Sequence, residues 1–145
     1  MKYGQRTAVR LEQSKRVSPE QVKALFRAAG WTEDVARFSP QQVRKLLRHS
    51  SFVLTAWNGG RELVGFASAV SDGVLCGMVQ NLVVHPRYRR RGVGTRLLRE
   101  LARRMRRRGI ACLYALGTRT RAARTFFERG GFQPLRWNVF VRLSA

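Results

Sequence analysis

Asn81-Leu82-Val83-Val84-His85-Pro86-Arg87-Tyr88-Arg89-Arg90-Arg91-Gly92-Val93-Gly94-Thr95 decides how this chain folds. An apolar run stops at a proline, an arginine-rich stretch follows, and two glycines open a long amphipathic segment. Pro86 cannot donate to a β-ladder, so it closes the strand. From Gly92 to Arg108, the side chains Val93, Leu97, Leu98, Leu101, Ala102 and Met105 recur at helical spacing, and Arg96, Arg99, Arg103, Arg106 and Arg107 lie off that stripe. Gly109 is the natural C-terminal stop. The first turn of such a helix has unpaired N–H groups and the positive end of the macrodipole. Glycines there let a diphosphate approach the backbone without meeting a Cβ.

Working outward, residues 75–84 read as the strand entering this segment. Phe52-Val53-Leu54-Thr55-Ala56-Trp57 and Leu63-Val64-Gly65-Phe66-Ala67-Ser68-Ala69-Val70 form an antiparallel hairpin around Asn58-Gly59-Gly60. Ser71-Asp72-Gly73 turns the chain into the third strand. Upstream, Ser18-Pro19-Glu20-Gln21 and Ser39-Pro40-Gln41-Gln42 each combine a capping serine, proline at the first helical position and glutamine three residues after the cap. Val22, Leu25, Phe26 and Ala29 follow the first signature until Gly30; Val43, Leu46 and Leu47 follow the second. A loop with Trp31, Glu33 and Asp34 joins these helices, and Thr7-Ala8-Val9-Arg10-Leu11 precedes them as a short strand. Downstream, Ala111-Cys112-Leu113-Tyr114-Ala115-Leu116 reads as a strand. A helix over residues 120–129 is expected to bury Ala122, Ala123, Phe126 and Phe127. Phe132 and residues 137–143 are expected to supply the last strand or two. The result is an α+β fold with a mixed, mostly antiparallel sheet flanked by helices and a β-α-β unit at its centre.

The chain has 145 residues and 44% hydrophobic side chains, which fits one domain spanning residues 1–145 and argues against disorder. No apolar run approaches the ~20 residues of a membrane span, and the N-terminus has no signal-like apolar stretch, so a cytoplasmic location is expected. Cys76 and Cys112 give no disulfide framework and have no metal-ligand spacing with His49 or His85, so no metal site is expected. The net charge is +21. Residues 1–73 hold 12 basic and 6 acidic side chains, whereas residues 74–145 hold 17 arginines against Glu100 and Glu128. Arginine's planar fork suits phosphate, so the C-terminal half points to an anionic ligand or nucleic acid.

Arg89-Arg90-Arg91-Gly92-Val93-Gly94 resembles the [Gln/Arg]-x-x-Gly-x-[Gly/Ala] signature of the GCN5-related N-acetyltransferases, with Val84-His85-Pro86 as a frequent lead-in. Ala123-Arg124-Thr125-Phe126-Phe127-Glu128-Arg129-Gly130-Gly131-Phe132 is similar to that family's C-terminal segment. The element order also agrees, so the resemblance covers roughly residues 5–143. Ala28-Ala29-Gly30-Trp31, Leu63-Val64-Gly65-Phe66 and Ser71-Asp72-Gly73 resemble a subgroup of bacterial acetyltransferases and plastid enzymes that acetylate arylalkylamines such as serotonin. The resemblance implies acetyl transfer from acetyl-CoA to a primary amine. It assigns the pyrophosphate to backbone N–H groups of Arg89, Arg90, Arg91, Gly92, Val93, Gly94 and Thr95. It assigns pantetheine to the backbone of Leu82, Val83 and Val84, with Thr120 and Phe127 as further cofactor contacts.

Two departures from the family pattern concern proton transfer. Val79-Gln80-Asn81-Leu82 has amides where many members have a glutamate base, and Phe127 replaces the tyrosine often proposed as acid. The candidates left are Asn81 to orient a water, Asp72 as a carboxylate near the central strand, and Tyr114 as a donor to the leaving thiolate. His85 precedes Pro86 in a position where the family often has a histidine without catalytic duty. Trp31 lies where the family borders the acceptor pocket, and so is the candidate to stack on an aromatic amine. A second reading is a basic nucleic-acid-binding module on the same fold with catalysis weakened or lost. Monomer and homodimer both remain open.

Overall fold

The computed structural model describes residues 8–117, 120–135 and 140–142. Five strands form one sheet in the order β1-β2-β3-β4-β5: β1 (Arg10–Gln13), β2 (Phe52–Trp57), β3 (Leu63–Ser71), β4 (Cys76–Val84) and β5 (Cys112–Ala115). The first three pairings are antiparallel and the last, β4 with β5, is parallel. A parallel neighbour needs a crossover, and α3 (Val93–Arg107) supplies it. The expected mixed, mostly antiparallel sheet with a central β-α-β unit is therefore present.

Two hydrophobic clusters cover opposite faces. On one, Leu97, Leu98, Leu101 and Met105 of α3 pack on Phe52, Leu54, Ala56, Ala67 and Ala69. On the other, α1 (Pro19–Ala28) and α2 (Pro40–His49) bring Val22, Leu25, Phe26, Val43 and Leu47 onto Val53, Phe66 and Val83. Alternation along β2 explains the division, because Phe52 and Leu54 face α3 whereas Val53 faces α1 and α2. Ser18 and Ser39 cap their helices as expected, accepting from Gln21 and Gln42; at Ser39 the Gln42 side chain returns a bond to the serine N–H.

Three expectations change. β1 starts at Arg10 rather than Thr7, which lies outside the described residues; its pairing runs from Arg10 opposite Trp57 to Gln13 opposite Leu54. The last helix, α4 (Arg121–Arg129), fully buries no residue. It sits beside α3 at the margin of the core, so Phe126 and Phe127 are half-buried and Ala122 is exposed. Phe132 is not in a strand, and neither are residues 140–142, where Phe140 and Val141 are 89% and 82% exposed; the rest of the expected strand at 137–143 lies outside the described residues.

Candidate functional site

β4 and β5 pair only from Cys76 opposite Cys112 to Val79 opposite Ala115, although β4 continues to Val84. Beyond Val79 one side of β4 has no strand beside it among the described residues. The divergence coincides with a bulge: Ser68 pairs with Asn81 and Ala69 with Val79, which leaves Gln80 as the extra residue. Strand alternation then decides which backbone groups look into the gap. The His85 N–H donates to Val64 O at 2.8 Å, so His85 and Val83 address β3, whereas Leu82 and Val84 address the open side. Arg89 reports the same orientation, because its Nε donates to Val84 O at 3.2 Å.

At the mouth of this gap begins α3. Three other helices are capped by a hydroxyl, from Ser18, Ser39 and Thr120, but α3 has Gly92 at its N-cap and no capping side chain. Gly92 adopts φ 79°, a left-handed conformation that glycine takes without steric cost, and Arg90 before it has φ 60°. The turn therefore presents the N–H groups of Val93, Gly94 and Thr95 outward at the positive end of a 15-residue helix. A Cβ on Gly94 would lie 3.1 Å from the Phe126 ring and 3.5 Å from Val84, so glycine leaves the approach to that turn open. Trp31, Leu82, Val83, Val84, Arg89, Gly94 and Phe126 line a cavity of 190 Å³ here.

Of the residues singled out from sequence, Trp31, Leu82, Val83, Val84, Arg89 and Gly94 meet at this cavity. Val83 does so differently from expectation: its backbone serves β3 and its side chain is 2% exposed in the α1/α2 cluster, so only Leu82 and Val84 offer main-chain groups. Trp31 stands edge-on to Phe26 with centroids 5.7 Å apart, and 39% of it remains exposed. Arg89 bridges two elements, its Nη2 donating to Ala29 O at 3.3 Å while Nε holds Val84 O. Arg91 lies over the Tyr88 ring at 5.3 Å. Asn81 donates to the buried Ser68 Oγ at 2.9 Å, which fixes its amide on the face opposite α3.

Four candidates lie elsewhere or serve another purpose. Asp72 Oδ1 accepts from the N–H groups of Val74, Leu75 and Cys76, and these bonds, that from Val74 foremost, hold its carboxyl below the usual range. It closes the turn before β4, and Leu82 is six residues beyond Cys76, or ~20 Å away. Tyr114 is the register partner of Met78, one pair before the ladder ends at Val79 and Ala115, but it does not line the cavity, and Cys112 beside it pushes its pKa up. Thr120 caps α4 by accepting from Ala123 N–H at 3.2 Å. Phe127 turns toward Phe132, with centroids 5.9 Å apart, so its neighbour Phe126 is the aromatic facing Gly94. Phe126 is the position the sequence did not single out for this cavity, and the bulge at Gln80 was not foreseen. His85 Nδ1 accepts from Arg87 N–H within its own turn.

Several of the arginines on α3 are tied down locally. Arg96 donates to Val9 O at 3.0 Å, and Arg99 donates twice to Arg129 O at the end of α4, at 3.2 and 2.7 Å. Glu100 is gripped by Arg103 and Arg104 and falls from 4.5 to about 2, mainly through the Arg103 hydrogen bond. Arg96, Arg99, Glu100, Arg103 and Arg104 also line a larger recess of 380 Å³ beside β1. Among the described residues no three His, Cys, Asp or Glu side chains group to hold a metal, and no helix is long and apolar enough to cross a membrane.

Comparison with known proteins agrees with this geometry. A GNAT-family acetyltransferase of Streptococcus pneumoniae TIGR4 superimposes with a TM-score of 0.76 at 23% identity, over 94% of this chain and 98% of that one. AAC(6')-Iy in complex with a CoA-S-monomethyl-acetylneamine bisubstrate analog gives 0.74 at 17% identity, over 96% and 100%. An aminoglycoside 6'-N-acetyltransferase complexed with coenzyme A gives 0.65 at 26% identity, over 75% and 61%. A search of curated proteins by sequence returns no match. The family model described as Acetyltransferase (GNAT) family matches residues 17–132. The chain, with its diverging parallel strands and uncapped central helix, belongs to the GNAT family of acetyltransferases.

Proposed function

We propose that this protein transfers the acetyl group of acetyl-CoA to a primary amine by direct attack of the amine on the thioester, and that the acceptor is a small aromatic amine. One observation carries the reading: the open edge of β4, the uncapped first turn of α3 and the Trp31 side chain line a single cavity. Acetyl-CoA fits these groups. The N–H groups of Val93, Gly94 and Thr95 would hold the pyrophosphate, and Arg90 and Arg91 would add charge beside it. The main chain of Leu82 and Val84 would pair with the pantetheine arm, and Arg89 would leave Val84 O as it enters. A backbone N–H in the gap would stabilise the negative charge growing on the thioester oxygen. Acetyl-CoA brings an activated acyl group, so the protein's task is mainly to align the two reactants.

Proton removal distinguishes this site. Gln80 and Asn81 stand at the bulge without a carboxylate, and Asp72 is committed to its turn. The reactive species is therefore the fraction of amine already neutral in solution, with the two amides orienting water. Trp31 favours an aromatic acceptor, since a flat ring can stack on its exposed surface. The +21 charge repels polycationic acceptors at long range, which weighs against aminoglycosides.

Thiol release measured over a panel of amines, from about pH 6 to about 9, tests the reading. Activity on arylalkylamines that climbs with pH and reaches no plateau is expected, because no titrating base limits the rate. A plateau near neutrality would reveal a base and defeat the direct-attack mechanism. Silence on every amine, beside salt-sensitive RNA binding, would overturn the enzymatic assignment in favour of a nucleic-acid module.

A further inference from the structure

The closed end of the β4–β5 pair carries chemistry that the acetyl-transfer reading does not use. Cys76 and Cys112 are separated by 36 positions in sequence yet are register partners, the first of the four pairs in this parallel ladder. Register partners project to the same face of a sheet, and Met78 with Tyr114 forms the next pair on that face. Neighbouring strands lie ~4.8 Å apart, within the ~4.4–6.8 Å Cα separation that a disulfide spans. Both thiols are free; Cys112 is exposed and Cys76 is half-buried. Around them Val74 and Leu75 are 74% and 65% exposed, so solutes reach the sulfurs without entering the cavity above Gly94.

Tyr114 adds a second feature to the pair. Its phenol lies two residues from Cys112 on the same face of β5, and Cys112 foremost, with Cys76 after it, pushes the phenol's pKa up. The three groups thus offer an accessible sulfur, a hydrogen-bond donor beside it and a second sulfur one strand away.

We propose that Cys76 and Cys112 are a thiol pair that closes a reversible disulfide across β4 and β5 when a peroxide oxidises the protein. The Cys112 thiolate attacks one oxygen of hydrogen peroxide, forming a sulfenic acid and releasing hydroxide, which takes up the thiol's proton as water. The Cys76 sulfur then attacks the sulfenic sulfur, the S–S bond forms, the S–O bond breaks, and a second water leaves with the Cys76 proton. Two thiols lose two electrons and the peroxide gains them; a dithiol reductant reverses the reaction. The bridge ties together the strands whose divergence, a few residues further along, opens the candidate cavity. It stands on the strand register alone and does not depend on what that cavity binds.

The whole protein, exposed to stoichiometric hydrogen peroxide and then alkylated, provides the test by intact mass and peptide mapping. The expected product is a monomer lighter by two hydrogens, inert to the alkylating reagent, with one peptide linking Cys76 to Cys112. Dithiothreitol should restore two alkylatable thiols, and Cys76→Ser should abolish the bridge and leave Cys112 to over-oxidise. Over-oxidised Cys112 beside an alkylated Cys76 in the unsubstituted protein would overturn the proposal. Disulfide-linked dimers in place of the internal bridge would do the same.

Discussion

Two helices of this protein begin in opposite ways. α2 opens with Ser39, whose hydroxyl takes the Gln42 N–H at 3.2 Å while Gln42 returns a bond to the Ser39 N–H at 2.8 Å. Its orphan donors are thus satisfied by its own side chains. α3, the longer helix with the fuller apolar stripe, opens with Gly92 and no cap. Such a cap is typically worth ~1 kcal/mol, and it is missing where the helix meets the unpaired edge of β4. The difference separates a helix start that serves folding from one left open to a ligand.

Closing the open end should produce the largest effect. Gly94→Leu places a side chain against Phe126 and Val84, across the approach to the α3 donors. Helix propensity improves with this substitution, so the folded state should survive it. Calorimetric titration with coenzyme A is expected to show a loss of ~100-fold or more in affinity, equivalent to ~2.7 kcal/mol. The gain in melting temperature that acetyl-CoA gives the unsubstituted protein should vanish as well. Retention of tight binding would mean that the first turn of α3 is not where the diphosphate sits.

How much of this was legible in the sequence follows from how local each signal is. Both serine–proline helix starts, the hairpin around Asn58 and the strand–arginine–glycine–helix run depend on near neighbours, and they appear where expected. The bulge at Gln80 does not: it exists only in the register against Ser68 and Ala69, and nothing within 79–82 announces it. The same holds for Val83, whose apolar neighbours Leu82 and Val84 look alike in sequence but present their main chains to the opposite side. Phe126 and Phe127 were indistinguishable by type, and the packing of α4 against α3 decides which of them meets Gly94. Asp72 was the reverse case. Its turn chemistry was readable locally, and its distance from Leu82 followed from strand length.

A smaller effect is expected from opening the closed end. Ser39→Ala removes the hydroxyl acceptor of the capping box. Stability should fall by ~1 kcal/mol, or ~2–4 °C in melting temperature for a chain near this size, with coenzyme A affinity unchanged. A large loss of affinity would show that the two helix starts are coupled, and the contrast between them would no longer be one of folding against binding.

The smallest and most conditional effect concerns the body of α3, which must stay rigid for its first turn to remain aimed. Glu100 links Arg103 and Arg104 at 2.6 Å each, within one turn of the helix. These bonds favour the carboxylate in the folded state and lower its pKa from 4.5 to about 2. A depressed carboxyl stabilises the fold fully above its unfolded value and loses that contribution as the pH falls through its folded value. Thermal melts of the unsubstituted protein and Glu100→Gln should therefore differ most above about pH 4.5, where the substituted protein is the less stable. The gap should narrow between pH 4.5 and about 2 as the native carboxyl takes up its proton. A gap independent of pH over that range would mean that the Glu100 carboxyl is not held below its unfolded value, and that charge at position 100 contributes nothing to holding α3.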